Sequence, residues 1–495
     1  MQNSPIEQDQ VNRAVWQACD TFRGVVDASE YKDFVLTMLF LKYISDVWLD
    51  HQQRDSVGTK AEEIFCLPQE ANFYTLYEQR HQPGNGMRID RALRLIELSN
   101  LDKLADVFQD ISFDSNRLVK GHEDKEQTLR HLIEDFAQPG LDLRPSRIGS
   151  LDIIGNAYEF LIKNFASSSG KKAGEFYTPP EVSSLIAALV DPRPNESIYD
   201  PTCGSGSLLM KCGRYIRQKQ QQAGYTLYGQ ESMASTWSLA KMNMFLHGET
   251  RQDIRWGDTL RTPHFVQGVG QLMQFDVVVA NPPFSLEKWG YEVAQNDPWQ
   301  RFTRGLPPEK KGDYAFILHM LASMKPEHGR MAVVVAGGVL FRAHAEGKIR
   351  QQLVDENLLD TVIALPPNLF YGTDIAASIL LFKHNKTDRH ILFIDAGRGF
   401  ESEKKKNHLR QQDLDKILAA CAARRSIDDF AHLASYEEIL ANQYNLNILR
   451  YIPSKINANP VDLLALQKER DTIQKELVLV EEKLVQHLRN IGLCL

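Results

Sequence analysis

Cysteines are few and scattered in this sequence. The 495 residues include six of them, which form no CxxC pair and lie near no histidine-rich cluster. They occupy positions 19, 66, 203, 212, 421 and 494. Such spacing argues against a zinc site and fits the reducing conditions of a cytoplasm. We therefore expect a cytoplasmic protein that holds no metal ion.

A hydrophobic run long enough to cross a membrane is also lacking. The first residues, MQNSPIEQDQ, are polar and contain no signal-peptide core. The most apolar candidate helix, residues 34–49, is shorter than a bilayer span and contains Lys42 and Asp46. We expect this segment to be a buried core helix, and the protein to have no membrane partner.

Excess positive charge and the motif of a P-loop ATPase are absent as well. The formal net charge is −7, so DNA binding would need a local basic patch or a second chain to attract the phosphates. No GxxxxGK[S/T] sequence occurs, and no paired-carboxylate and lysine signature of a nuclease stands out. We therefore do not expect the chain to be a P-loop ATPase or a nuclease.

The sequence divides into three regions by its periodicity. Residues 1–165 carry apolar residues at helical spacing and are predicted to form an all-helical N-terminal domain. Residues 166–445 are predicted to form an α/β domain, and residues 446–495 are helical again. The stretch FASSSGKKAGE, residues 165–175, has the composition of a flexible joint between the first two regions.

The middle region alternates β-rich runs with helical ones. The runs include SIYD (197–200), TLYGQE (226–231), FDVVVAN (275–281) and RMAVVVAG (330–337). Strands separated by helices of this length are typical of βαβ units and of a mostly parallel sheet covered by helices.

A glycine-containing turn follows the first of these strands. In IYDPTCGSGSLL, residues 198–209, the strand ends at Asp200, and Gly204 and Gly206 precede a helix. Such a turn lets a ligand approach the backbone, but a simple strand–helix turn gives the same pattern. The third glycine of a dinucleotide fingerprint would fall at Leu209, so NAD is disfavoured. The Asp-Pro pair instead resembles the first motif of S-adenosylmethionine-dependent methyltransferases.

Two acidic residues stand at the ends of later strands. Glu231 closes LYGQE, where a carboxylate can accept hydrogen bonds from both hydroxyls of a ribose. Asp258 follows IRWG, where it can accept a hydrogen bond from an adenine amino group. Either residue alone is compatible with a solvated turn. Their order after the glycine turn favours the binding interpretation.

The tetrapeptide NPPF, Asn281 to Phe284, ends a buried strand abruptly. The amino nitrogen of adenine is a poor nucleophile because its lone pair is delocalised into the ring. Two acceptors, the side-chain oxygen of Asn281 and the carbonyl of Pro282, can bind its hydrogens and free the lone pair, and the rigidity of Pro282 and Pro283 holds them in place. Phe284 offers a face on which an extruded base can stack. The alternative is a proline-terminated strand with a core phenylalanine.

DPTCGSG followed by NPPF resembles the amino-methyltransferase superfamily, and longer segments resemble the modification subunits of type I restriction–modification systems, the HsdM family. VDASEYKDFVLTMLFLKYISDVW and DIIGNAYEFLIKNFA are similar to that family's helical region, and LPPNLFYGTDI and ILFIDA to later segments. The resemblance implies a Rossmann-like methyltransferase domain that transfers a methyl group from S-adenosylmethionine to the 6-amino group of a flipped-out adenine in DNA. It also implies a helical N-terminal domain and a C-terminal coiled-coil-like helix.

The resemblance assigns site residues one by one. The segment expected against the methionine end of the cofactor consists of Glu175, Phe176, Tyr177, Thr178, Pro179 and Pro180. The loop motif beside it is formed by Ser205, Gly206 and Ser207, Glu231 is the ribose carboxylate, and Asn281 to Phe284 is the catalytic tetrapeptide. The family often has alanines and a threonine where this chain has Thr202, Cys203 and Ser205. Cys203 is expected to be structural, since direct methyl transfer needs no covalent intermediate.

The C-terminal residues 461–488 carry an apolar seam at alternating spacings of seven, four and three. The seam consists of Leu466, Ile473, Leu477, Val480 and Leu484, with Arg470 and His487 as its polar interruptions. Charged residues such as Lys468, Glu469, Glu476 and Glu481 fall outside it, which is typical of a coiled-coil-like helix. The seam can pack on the catalytic domain of the same chain or reach another chain.

The resemblance implies partners and leaves alternatives open. It implies double-stranded DNA, a specificity subunit that determines the target sequence, a second copy of this chain and, in the full complex, a restriction and translocase subunit. The alternatives are a protein glutamine-amide methyltransferase, a stand-alone DNA adenine methyltransferase, and a structural subunit with a vestigial cofactor site. Lys310 and Lys311 lie in a long polar segment that is either a DNA-facing lid or a solvated loop.

Overall fold

The computed structural model of the chain describes most of its residues. The described ranges are 7–22, 28–55, 65–115, 122–148, 152–168, 177–220, 224–370, 375–402, 406–453 and 463–490. Glu175 and Phe176, two residues predicted to contact the cofactor, lie outside these ranges.

The described residues before position 169 form helices and no strand, as predicted. The helices are α1 Gln8–Ala18, α2 Ala28–Asp55, α3 Phe73–Glu78, α4 Asn85–Leu98, α5 Leu101–Leu104, α6 His122–Phe136, α7 Pro145–Ile148 and α8 Asp152–Ser168. Both α1 and α2 pack against α8. The apolar middle of α2 is buried, and Lys42 and Asp46 form an ion pair within it. This helix is therefore the core helix that the sequence predicts.

A mostly parallel sheet forms the centre of the molecule. Its strands are β1 Ser197–Asp200, β2 Thr226–Glu231, β3 Gln252–Trp256, β6 Val277–Ala280, β7 Arg330–Ala336, β8 Leu359–Ala364, β9 Ala377–Lys383, β10 Ile391–Asp395 and β13 Ala431–Ala434. Two small hairpins pair β4 Val266–Gly268 with β5 Gln271–Leu272, and β11 Glu401–Ser402 with β12 Asn407–His408.

The strand order in the sheet is β13-β10-β8-β9-β7-β6-β1-β2-β3. Strands β9 and β13 run antiparallel to their neighbours, and every other neighbouring pair in this order is parallel. The predicted runs SIYD and TLYGQE coincide with β1 and β2. The predicted runs at 275–281 and 330–337 are longer than β6 and β7 by one to three residues.

Helices cover both faces of the sheet. The α-helices described between residues 177 and 452 are α9 Pro180–Val190, α10 Ser207–Lys219, α11 Ala234–Leu246, α12 Tyr291–Ala294, α13 Asp313–Ala322, α14 Ala345–Asp355, α15 Gln411–Ala423 and α16 Tyr436–Ala441. Val277 and Val279 of β6 belong to one hydrophobic core, whereas Val278 and Ala280 belong to another. Burial on both faces explains why this strand is a continuous apolar run.

The N-terminal helices share the first of these cores, and α8 packs closely on α11. A Cβ atom at Gly155 would lie 2.5 Å from the ring of His247, so only glycine allows this approach of the two helices. The hydroxyl of Tyr158 donates a hydrogen bond to the carbonyl of Leu239 at 3.3 Å. The helical region and the sheet are therefore joined by direct packing.

The chain forms two compact units, Met1–Ile452 and Pro453–Leu495. Helix α17, Leu463–Asn490, belongs to the second unit. Four residues of the predicted seam are each more than half exposed: Ile473 by 58%, Leu477 by 54%, Val480 by 61% and Leu484 by 55%. The side chains of Leu466 and His487 lie outside the described set. In the described part of the chain, no helix is long and apolar enough to cross a membrane.

Candidate active site

Predicted site residues stand at one edge of the sheet, where neighbouring strands end. Asp200 ends β1, Glu231 ends β2, Asn281 follows β6, and Asp258 lies two residues after β3. Because β1 pairs in parallel with both β2 and β6, their carboxyl ends lie side by side. The chain runs outward from β1 to β3 and returns to β6 on the other side of β1. Open α/β sheets bind ligands at such a switch point.

The glycine turn after β1 is in direct contact with Glu231. Gly204 and Gly206 have φ angles of +54° and +79°, in the left-handed region that favours glycine. One carboxylate oxygen of Glu231 accepts a hydrogen bond from the Gly204 N–H at 3.0 Å, and the other accepts from the Met233 N–H at 2.8 Å. The carboxylate is therefore fixed beside the turn.

An asparagine that the sequence did not single out supports the same turn. Asn243, fully buried on α11, donates from Nδ2 to the carbonyl of Ser205 at 2.9 Å. The hydroxyl of Ser205 is buried here without a hydrogen-bond partner in the described part of the chain. Buried polar atoms are usually paired, so this hydroxyl fits a polar ligand at the turn.

Burial raises the pKa of the Asp200 and Glu231 carboxyls. The pKa of Asp200 rises to about 8, because desolvation outweighs the hydrogen bond from the Thr202 N–H and the charge of Glu231 adds to the effect. The pKa of Glu231 is also raised by desolvation, against the hydrogen bonds from Met233 and Gly204. A positively charged ligand would stabilise the ionised form of each group.

Asp258 has partners of its own. Its Oδ1 accepts from the Leu260 N–H at 2.9 Å, and its Oδ2 pairs with Nη1 of Arg261 at 3.0 Å. Arg301, which the sequence did not single out, is fully buried and donates to the carbonyls of Thr259 and Leu260 at 3.1 and 2.8 Å. The loop that carries Asp258 is therefore held in place by hydrogen bonds at Asp258, Thr259 and Leu260.

The amide of Asn281 has a defined orientation. Its Nδ2 donates to the hydroxyl oxygen of Thr178 at 3.1 Å, across 103 positions of the sequence. Its Oδ1 is buried and accepts no hydrogen bond in the described chain. The contact brings together two motifs that the sequence assigned separately, and it leaves the amide oxygen as an acceptor.

The remaining tetrapeptide residues differ in burial. Pro282 is buried, whereas Pro283 and Phe284 are half-buried. The ring of Phe284 makes an edge-to-face contact with Phe370, with 5.9 Å between centroids and 75° between planes. Phe284 is therefore anchored to the core at one side without being enclosed by it.

A cavity of about 220 Å³ lies at this edge of the sheet. Its lining includes Pro201, Thr202, Glu231, Asp258, Asn281 and Pro283. Four residues assigned from the sequence thus share one cavity although the chain separates them widely. No group of three or more His, Cys, Asp or Glu side chains in the described ranges is placed to hold a metal ion.

Other predicted residues begin helices beside the cavity. Pro180 is the first residue of α9, with Pro179 before it, which suits the fixed φ of proline. Ser207 is the first residue of α10, directly after Gly206. Tyr177 is buried.

The segment after the tetrapeptide, residues 285–312, is more folded than the solvated loop that was one of the two predicted alternatives. Trp289 and Arg301 within it are each only 1% exposed, and Trp289 packs with Leu260 and Phe316. Lys310 is exposed at its end. The segment therefore forms a packed layer over α13 and the loop of Asp258.

Comparison with protein families agrees with this architecture. The N-6 DNA Methylase model matches residues 149–459, and the HsdM N-terminal domain model matches residues 11–136. The first match covers more than half of the chain and includes every strand of the sheet and the cavity.

Individual relatives extend the similarity along the chain. The MpnII methylase subunit of Mycoplasma pneumoniae is 29% identical over 98% of this chain and 97% of its own length. The MjaVIII methylase subunit of Methanocaldococcus jannaschii is 31% identical over 98% of this chain and 85% of its own length. Both are type I restriction enzyme methylase subunits.

A solved structure gives the same result. The type I restriction-modification system methyltransferase subunit from Streptococcus thermophilus is 34% identical, with a TM-score of 0.81, and the match covers 90% of this chain and 100% of that one. A chain from a type I complex, 21% identical with a TM-score of 0.67, shares the fold over 98% of this chain. The chain therefore belongs to the N-6 DNA methylase family, as the methylase subunit of a type I restriction enzyme.

Proposed function

We propose that the carboxyl edge of the sheet, which includes this cavity, binds S-adenosylmethionine and a flipped-out adenine, and that Asn281 directs methyl transfer to the 6-amino group of the base. The orientation of the Asn281 amide carries this proposal. Because Nδ2 is bound to Thr178, Oδ1 is left as a buried acceptor on a residue that lines the cavity.

The residues at the strand ends are proposed to hold the cofactor. Glu231 accepts hydrogen bonds from the ribose hydroxyls of the cofactor, and Asp258 accepts one from the amino group of the cofactor's adenine. The methionine portion of the cofactor lies against two further groups of residues. These are Asp200 with the turn of Gly204, Ser205, Gly206 and Ser207, and the segment of Glu175, Phe176, Tyr177, Thr178, Pro179 and Pro180. When bound, S-adenosylmethionine supplies an electrophilic methyl group on a positively charged sulfur. That charge suits an edge where burial raises the pKa of two carboxyls, since it favours their ionised forms.

The tetrapeptide is proposed to activate and hold the base. Oδ1 of Asn281 and the carbonyl of Pro282 accept the two amino hydrogens and localise the nitrogen lone pair, and the buried Pro282 keeps the acceptors rigid. Phe284 stacks on the base, and stacking worth ~1–3 kcal/mol offsets part of the cost of extruding it.

The chain is proposed to work as part of a larger assembly in the cytoplasm. A separate specificity subunit would select the target sequence in double-stranded DNA, with a second copy of this chain beside it and a restriction and translocase subunit added in the full complex. The net charge of −7 and the exposed seam of α17 both favour assembly over unaided DNA binding. Residues 1–165, 166–445 and 446–495 would be its helical, catalytic and assembly parts.

Product analysis tests the proposed function. The chain co-expressed with its specificity subunit is incubated with unmethylated bacterial genomic DNA and S-adenosylmethionine carrying a labelled methyl group. We expect the label in N6-methyladenine after the DNA is digested to nucleosides. Label recovered in the glutamine of an added protein, and none in DNA, would favour the glutamine-amide alternative.

Replacing Glu231 tests the cofactor site. We expect Glu231→Ala to weaken S-adenosylmethionine binding by about 1–3 kcal/mol, because hydrogen bonds to a charged acceptor are lost. Isothermal titration of the purified chain measures the affinity. Glu249→Ala is the matched control, since Glu249 is a buried carboxylate that binds Tyr225 and Arg217 elsewhere. Unchanged affinity in Glu231→Ala would place the ribose contact on another residue.

Replacing Phe284 tests base stacking. We expect Phe284→Trp and Phe284→Tyr to keep substantial methyl transfer because each retains an aromatic face, and Phe284→Ala to lose most of it. Labelled-methyl transfer to DNA is the measurement. Phe245→Ala is the control, because Phe245 also makes an edge-to-face contact, with Phe65, away from the cavity. Equal activity of the Ala and Trp variants would make Phe284 a packing residue.

A further inference from the structure

The residue directly after the catalytic tetrapeptide has an unusual backbone conformation. Ser285 has a φ angle of +52°, in the left-handed region that residues with a side chain rarely adopt. Such a conformation persists only where the surroundings enforce it, and such residues cluster at functional sites. Ser285 follows Phe284, so its conformation sets the direction in which the chain leaves the ring.

Two hydrogen bonds hold this turn against the start of α13. The Ser285 N–H donates to Oδ1 of Asp313 at 2.9 Å, and the Gly312 N–H donates to the carbonyl of Leu286 at 3.0 Å. Asp313 is the first residue of α13, and its side chain is only 3% exposed. The backbone of two consecutive residues is thereby fixed to a buried helix end.

The carboxylate of Asp313 is itself fixed on its other side. Its Oδ2 accepts from Nη2 of Arg342 at 2.6 Å, and the same guanidinium binds Glu346 at 2.9 Å. Arg342 follows β7, and Glu346 lies on α14. The carboxylate therefore cannot turn away from Ser285 without breaking an ion pair that joins two elements of the core.

We infer that Asp313 is a positioning residue for Phe284: it enforces the left-handed turn at Ser285 and so aims the half-buried ring at the extruded base. Phe284 is half-buried, and in the described part of the chain its ring packs edge-to-face on Phe370, so the backbone turn at Ser285 helps to fix the direction of the ring. The inference rests on the proposed role of Phe284 and assigns no contact between Asp313 and the base.

Glycine at position 285 provides a decisive test, because glycine adopts the left-handed conformation without enforcement. The assay measures methylation of unmethylated genomic DNA by the chain together with its specificity subunit. We expect Asp313→Ala to slow this reaction by about tenfold or more, because small misplacements of a group at a reacting centre have effects of this size. Cofactor affinity is expected to stay unchanged. Adding Ser285→Gly to Asp313→Ala should recover much of the rate, and Ser285→Gly alone should stay near the wild-type rate.

Rescue separates positioning from a general structural role. Glu196→Ala is the matched control: Glu196 forms a partly buried ion pair with Arg330 at the opposite edge of the sheet, and its loss should lower stability without changing the rate of the folded protein. If Asp313→Ala does not fold, Ser285→Val gives the same test, since a β-branched residue opposes the left-handed turn.

The inference about Asp313 and the proposed function are contradicted by different results. A wild-type rate in Asp313→Ala or in Ser285→Val would overturn the inference, as would an Asp313→Ala defect that Ser285→Gly does not relieve. A wild-type assembly that forms no N6-methyladenine would instead contradict the proposed function.

Discussion

Asn281→Ala is expected to abolish methyl transfer while leaving S-adenosylmethionine binding largely intact. The substitution removes the one amide oxygen that is buried at the cavity without a partner in the described chain. That oxygen accepts a hydrogen bond from the adenine amino group while the amino nitrogen becomes a nucleophile. Loss of the oxygen is therefore expected to raise the activation barrier for methyl transfer by about 3 kcal/mol or more, by analogy with removal of an oxyanion-hole donor. Labelled-methyl transfer and calorimetric cofactor titration measure the two effects.

Two companion variants sharpen this experiment. Asn281→Asp keeps an acceptor oxygen, and the Thr178 hydroxyl can turn to donate to it, so we expect part of the activity to survive. Asn100→Ala removes a buried amide that binds backbone carbonyls in the N-terminal helices, and we expect it to affect stability and not the rate. Near-normal transfer by Asn281→Ala would contradict the mechanism.

Deletion of residues 460–495 is expected to abolish sequence-specific methylation without harming the catalytic unit. Met1–Ile452 forms a compact unit of its own that contains the cavity, so cofactor binding and the thermal transition should persist. The deleted part includes α17 with its half-exposed apolar seam, which is the expected contact to the specificity subunit. Co-purification with that subunit and labelled-methyl transfer are the measurements.

Single substitutions on α17 provide a matched pair. Leu477→Glu places a charge on the seam and should reproduce the loss of assembly, whereas Glu476→Gln lies outside the seam and should not. A truncated chain that still co-purified and methylated the target would show that the helix serves its own subunit.

The sequence predicted those parts of the site that are local in the chain. The glycine turn at Gly204 and Gly206 follows β1, and Glu231 is the last residue of β2. In both places a strand is directly followed by turn residues, so the strand ends could be located within a few residues. The family resemblance also predicted the N-terminal domain and the methyltransferase domain, and the family comparisons confirm both.

The remaining features depend on contacts between distant residues. The hydrogen bond from Asn281 to Thr178 spans 103 positions, and that from Asn243 to Ser205 spans 38. Asp313 carries no local sign of its contact with Ser285, because an acid at the start of a helix is ordinarily explained by the helix dipole. Side chains of this kind become recognisable only when the sheet order brings them together.

The central place of β1 in the sheet has a consequence for the synthesis of the protein. Its neighbours are β2, which follows closely in the chain, and β6, which begins only at Val277. While a ribosome is still adding the intervening residues, one side of β1 has no strand to pair with, and an unpaired apolar strand edge is prone to aggregation. β1 can therefore acquire both of its neighbours only after Val277 has left the ribosome.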